Sequence, residues 1–263
     1  MIPDPWFYVA AIPAILLIGI SKGGFGSGAG IFATPLMALT VPIPQAAAIL
    51  LPILCVMDVA GLWAYRGRFS RENLRPLLAG GLLGVALGTL TFRYCDESWI
   101  RVILGLMALG FVLQRYAVRA GGPPAQHSAR KGFFWSTVAG LTSTIAHAGG
   151  PPLSIYLLPL RLDKAVMVGT TVVFFAVINV VKLVPYAWLG LFDPRNLTTS
   201  AALAPLAPVG IWIGVSLMRR IPEALFYRIS YTILLVVGAK LLWDGIAGLQ
   251  GIPGGYAMFT GLK

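Results

Sequence analysis

Charge is what this sequence has least of. Only 11% of its 263 residues are Asp, Glu, Lys or Arg, against roughly a quarter in a soluble globular domain. With 57% of residues hydrophobic, that scarcity excludes an ordinary soluble protein, and equally a disordered chain. Acids are the scarcer sign: nine Asp and Glu stand against 20 Lys and Arg, a net charge of +11. In a soluble protein that excess would point to nucleic acid. In so apolar a chain it points to arginines gathered on one membrane face, with no nucleic-acid partner. Two cysteines, Cys55 in an apolar run and Cys95 in a loop, make no disulfide framework. With two histidines and no ligand cluster, neither metal nor cofactor is expected, and no P-loop supplies ATP coupling. The start, Met1-Ile2-Pro3-Asp4-Pro5, lacks the basic residues of a signal peptide, so the first apolar run is expected to be retained.

Long apolar runs are what the chain has instead. Six of them, Ala46–Tyr65, Leu74–Phe92, Trp99–Tyr116, Ala165–Leu189, Thr199–Leu217 and Ala224–Ala247, approach the roughly 20 helical residues that span a hydrocarbon core. Two other regions consist of shorter pieces. Trp6–Ile20 and Ile31–Leu39 are separated by a glycine-rich stretch, and Phe133–Thr144 and Pro151–Leu160 by Ile-Ala-His-Ala-Gly-Gly. Pieces of this length reach only about 14–22 Å at 1.5 Å per residue. They read as broken helices or re-entrant hairpins, whose irregular tips survive at membrane depth only when buried in protein or lining a cavity.

The broken regions repeat. A shift of 121 residues places Gly19 on Gly140, Gly28 on Gly149 and Asp58 on Asn179; a shift of 126 places Gly84-x-x-x-Gly88 on Gly210-x-x-x-Gly214. Such glycine pairs let membrane helices approach closely. The cations then choose between two topologies. With re-entrant breaks and inverted repeats, Arg66, Arg68, Arg71, Arg75, Arg115, Arg119, Arg130, Lys131, Arg161, Lys164, Arg219, Arg220 and Arg228 share one side, and only Arg93, Arg101, Arg195 and Lys263 lie opposite. With fully spanning breaks and parallel repeats the split is more even. The positive-inside rule favours the inverted arrangement, with both termini outside. The expectation is an all-α polytopic membrane protein of two inverted repeats, each with a broken or re-entrant helix pair plus three transmembrane helices. The first repeat covers 1–119, a cytoplasmic linker 120–130, the second repeat 131–248 and a C-terminal tail 249–263.

Half-helices beginning near Ala29 and Pro151 would aim free N–H groups at one midplane site, which suits an anion. Here the residues carry a resemblance. Gly19-Ile20-Ser21-Lys22-Gly23-Gly24-Phe25-Gly26-Ser27-Gly28, Ala148-Gly149-Gly150-Pro151-Pro152-Leu153, Gly169-Thr170-Thr171 and Asn179-x-x-Lys182 resemble the two halves of the TauE/SafE sulfite-exporter family, over the chain to about Gly248. The resemblance implies a multi-pass transporter in the bacterial plasma membrane, exporting a small anion such as sulfite or an organosulfonate like sulfoacetate by alternating access. Two other classes compete. A channel would need a charged ring or carbonyl filter. An intramembrane enzyme built on Ser27 and His147 lacks an oxyanion-hole signature, so no enzyme is expected. A homodimer is compatible with the sequence.

The expected substrate-binding residues are Lys22, Gly23, Gly24, Ser27, His147, Gly149, Gly150, Asn179 and Lys182. An ammonium inside the membrane is costly and reads as functional, which singles out Lys22; the structural alternative is a snorkelling or capping lysine. Asn179 and Lys182 are three apart and share a helix face. They either hydrogen-bond and pair an oxyanion, or Asn179 bonds another helix and Lys182 pairs with Asp58. Asp58 and His147 are the proton-coupling candidates, because His147 titrates near neutrality and Asp58 is an acid among apolar residues. Ser21, Ser27, Thr142, Ser143 and Thr144 flank the breaks, most of them as caps. His127 is expected to be solvated, and Lys240 to pair with Asp244 one turn on.

Overall fold

The computed structural model describes residues 1–22, 31–117, 125–217 and 223–251. Every regular element among them is helical: α1 (Pro5–Ile20), α2 (Ala33–Met37), α3 (Ile43–Ala64), α4 (Arg71–Tyr94), α5 (Glu97–Ala117), α6 (Ala129–Ala146), α7 (Gly150–Leu157), α8 (Lys164–Trp188), α9 (Pro194–Leu203), α10 (Leu206–Leu217) and α11 (Glu223–Leu249). Five stretches of the described residues are long and apolar enough to cross a membrane. Helix starts carry local reasons. Asp4, Ser70, Ser128, Asp163 and Asp193 each accept a backbone N–H of the first turn, satisfying donors that otherwise have no intrahelical partner.

Two elements differ from the sequence expectation. The run Thr199–Leu217 is divided between α9 and α10, with Ala204 and Pro205 between them. Pro205 has no N–H to give and its ring crowds the preceding turn, so the helix stops and restarts. The first piece of the second broken region is also longer than its apolar run: α6 begins at Ala129 behind the Ser128 cap, because apolarity does not register a charged first turn.

The helices pack as matched pairs. α4 lies along α6, α1 along α10, α3 against α8 and α5 against α11. Glycine sets two of the close crossings. A Cβ on Gly84 would fall 2.1 Å from the Thr137 carbonyl oxygen, and one on Gly19 would fall 2.8 Å from the Gly210 backbone, so neither helix pair could approach as it does with any side chain there. The apolar core divides in the same pattern. One cluster joins α1, α2 and α3 to the α9–α10 junction, and another joins α6, α7 and α8 to α4. A third holds the two tips, with Ile31 and Phe32 packed in one cluster with Ile145, Ala146 and Ala148, beside α5 and α11.

Hydrogen bonds fix which helix ends lie together. At one end Ile2 N donates to Thr199, Gln45 donates to Asn196, Arg101 donates to the Ala38 carbonyl, and Ile43 N donates to Glu97. The start of α1 and the end of α2 therefore share that end with the starts of α3, α5 and α9. At another, Ser70 N donates to Thr170, Tyr156 donates to Asn73, and His127 Nδ1 contacts Asn73 Oδ1. The approach to α6 and the end of α7 therefore sit with the starts of α4 and α8.

Candidate functional site

Two clusters of buried polar groups hold the residues singled out by the sequence. The first is built on α3 and the end of α1. Asp58, 6% exposed, points one carboxylate oxygen at Lys22 Nζ, 2.7 Å away, and accepts the Asn179 amide at 2.5 Å with the other. Asp58 and Asn179 are the two residues that the 121-residue shift equates, and here they touch. Lys22 is the more open member, its side chain 28% exposed.

The second cluster begins one turn further along α8. Lys182 is fully buried, yet no carboxylate of the described residues pairs with it. Its Nζ donates instead to the Ser143 carbonyl at 3.0 Å, to Ser143 Oγ at 3.1 Å and to His147 Nδ1 at 3.0 Å. Three acceptors match the three N–H groups of an ammonium. The sequence alternative in which Asp58 pairs with Lys182 is not what forms; Asp58 is taken by Lys22 and Asn179.

His147 is held from both sides. Its Nε2 lies 2.9 Å from the Ala47 carbonyl, which can only accept, so Nε2 carries the proton. Nδ1 faces the Lys182 donor and is therefore the bare nitrogen. The geometry assigns a neutral ring in one tautomer. The backbone contributes as well: His147 ends α6 in the left-handed region, at φ 53°, a conformation that costs a residue with a Cβ about 1–3 kcal/mol and persists only where its surroundings hold it. Here the turn lets the ring reach both α3 and α8 at once.

Of the other expected residues, Gly149 caps α7 and is used for packing: a Cβ there would fall 2.5 Å from the Ala139 carbonyl and 2.8 Å from the Phe175 ring. Gly150 opens α7 and is buried. Gly23, Gly24 and Ser27 lie outside the described residues. Thr142 donates to the Ala139 and Ala148 carbonyls and Thr144 to the Gly140 carbonyl, so both tie down the turn. Ser143, expected mainly as a cap, instead receives Lys182 through two atoms. Lys240 and Asp244 pair as expected, at 2.7 Å. His127 is not simply solvated: its Nδ1 is 2.9 Å from Asn73 Oδ1 and 3.1 Å from the Tyr156 hydroxyl. Sequence reasoning missed Ala47, whose contribution is a backbone carbonyl and leaves no signature. It also passed over Tyr186, fully buried and donating to the Thr144 carbonyl.

Among the described residues, Lys182 is thus a buried lysine without a paired carboxylate, held at the break between α6 and α7. The model of the family described as sulfite exporter TauE/SafE matches residues 11–241. The chain belongs to the TauE/SafE family. Within it, the chain is 24% identical over 231 residues to the probable sulfite/organosulfonate exporter TauE of Cupriavidus necator, covering 85% of this chain and 88% of that one. No solved structure matches. The match spans α1 to most of α11 and so includes Lys22, Asp58, His147, Asn179 and Lys182. Family membership makes the chain a membrane transport protein.

Proposed function

We propose that this TauE/SafE member is a secondary transporter that exports a small sulfur oxyanion, sulfite or an organosulfonate, across the bacterial plasma membrane by alternating access. The observation that carries the reading is Lys182: a fully buried lysine whose partners are all neutral. An ion buried in an apolar interior is costly unless its charge is answered, and a passing anion answers it. Asn179 and Lys22 in the first cluster and Ser143 in the second are the oxyanion donors, and Asp58 and His147 are the groups through which a proton would couple. The similarity to the probable sulfite/organosulfonate exporter of Cupriavidus necator supports the choice of substrate class.

Inverted repeats are part of the proposal. They are supported by α1 starting and α2 ending at one end of the bundle while α6 starts and α7 ends with the starts of α4 and α8. The cations sort the same way: Arg68, Arg71 and Arg130 neighbour the second set of ends, Arg101 and Arg195 the first. The arginine-rich end is then cytoplasmic, and the two hairpins enter from opposite faces.

Reconstituted vesicles test this. Sulfite and methanesulfonate flux should require the protein and be lost in Lys182→Gln. Flux that survives Lys182→Gln unchanged would reject the assignment.

A further inference from the structure

The charges around Lys182 can be counted. Five titratable side chains face one another from α1, α3, α6 and α8: Lys22, Cys55, Asp58, His147 and Lys182. Lys22 and Asp58 form a 2.7 Å pair that sums to zero. His147 is neutral by its hydrogen bonds, with Nε2 donating to Ala47 and Nδ1 facing Lys182. Cys55, one turn before Asp58 on α3, is uncharged as the thiol. With Lys182 as the ammonium, the set carries one positive charge.

We infer that this site selects anions by charge number, accepting singly charged oxyanions such as alkyl sulfonates or hydrogensulfite and rejecting doubly charged ones such as sulfate. The inference rests on the anion-transport reading and sharpens it. A monoanion beside Lys182 leaves the buried set neutral. A dianion of the same shape leaves one negative charge uncompensated among apolar helices, where desolvation is most costly. The donors suit a single oxyanion group. Lys182 spends all three of its bonds on neutral acceptors, the longest at 3.1 Å to Ser143 Oγ. Exchanging that one for a charged oxygen gains a charge-assisted bond, roughly twice as strong as a neutral one, and frees the Ser143 hydroxyl to donate as well. Asn179 keeps its amide on Asp58, so it adds no second positive group.

Methanesulfonate and sulfate are suitable probes, since both are tetrahedral sulfur oxyanions and neither changes charge near neutral pH. Binding to the purified protein in lipid nanodiscs, in chloride-free buffer, is measured by calorimetry. Methanesulfonate should bind at least about tenfold more tightly than sulfate. Asp58→Asn raises the count by one and should move the ratio toward sulfate by about tenfold or more. Sulfate binding wild-type protein as well as methanesulfonate does, with both lost in Lys182→Gln, would overturn charge selection while leaving anion binding intact. Binding of neither probe would overturn both readings. The wild-type ratio needs no variant, so poor folding of Asp58→Asn leaves the inference open to refutation.

Discussion

The two broken regions are packed alike and charged differently. In the first, the lysine sits on the broken helix: Lys22, at the end of α1, meets an aspartate on the long helix α3. In the second, the lysine sits on the long helix: Lys182 of α8 meets a serine and a histidine at the end of α6. The 121-residue shift places Ser143 opposite Lys22 and Asn179 opposite Asp58, so the equivalent positions have exchanged ions for neutral groups. The same scaffold thus makes an internally neutralised pair on one side and an unanswered cation on the other. A symmetric charge pattern would have cancelled or doubled the site; the asymmetric one leaves a single charge.

The comparison breaks most sharply if its two lysines prove equivalent. Lys182→Gln should remove anion affinity by roughly 2–5 kcal/mol, the range seen when one partner of a desolvated charge interaction is lost. Calorimetry with methanesulfonate reads it directly. Lys22→Gln acts differently, because it strands Asp58. That costs stability of about 2 kcal/mol, below the 3–5 typical of a fully buried pair, since part of the Lys22 side chain is open to solvent. It also cancels the net charge of the site. Adding Asp58→Asn to Lys22→Gln should recover both the melting temperature and methanesulfonate binding. A double variant no better than the single would mean that Lys22 contacts the anion itself.

Much of this is legible in the sequence. Glycine runs and Pro151-Pro152 marked both breaks, and the 121-residue shift paired Asp58 with Asn179, because a membrane helix tolerates those residues only for a reason. Lys22 and Lys182 stood out by the cost of an ammonium in an apolar run. The sequence did not reveal which lysine Asp58 would choose. That depends on where α1 ends relative to α3, a tertiary distance of 36 residues in sequence and 2.7 Å in space. Ala47 could not be found at all, since any residue offers a carbonyl. Nor could the α9–α10 break be read from hydropathy, because Pro205 interrupts the backbone without interrupting the apolar run.

His147 sharpens the second region on its own. Its ring orients Lys182 and its backbone occupies the left-handed region, and the two contributions separate by substitution. Asn tolerates that backbone better than other non-glycine residues and keeps a hydrogen-bonding group; leucine keeps neither. His147→Leu should cost roughly 2–3 kcal/mol in stability, from backbone strain and the stranded Lys182 donor together. His147→Asn should cost about 1 kcal/mol or less. Thermal unfolding in nanodiscs orders them. Equal losses would show that only the imidazole matters and that the φ of 53° is not held against a penalty.

The smallest effect lies at the glycine crossings. At the α1–α10 crossing, a Cβ on Gly19 would fall 2.8 Å from the Gly210 backbone, whereas a Cβ on Gly210 would fall 3.1 Å from Gly19 Cα and the Leu16 carbonyl. The first distance cannot be met without moving a helix; the second asks a few tenths of an ångström. Overpacking of this kind costs about 1–3 kcal/mol when the neighbours are backbone and cannot rotate away. Gly19→Ala should fall in that range. Gly210→Ala should lose under about 1 kcal/mol, part of it returned because alanine is the better helix former. Both should leave the preference for methanesulfonate over sulfate unchanged, because neither residue belongs to the charge count. A shifted preference in Gly210→Ala would mean that the α1–α10 crossing sets how far Lys22 reaches toward Asp58, and that packing and charge in the first half are not separable.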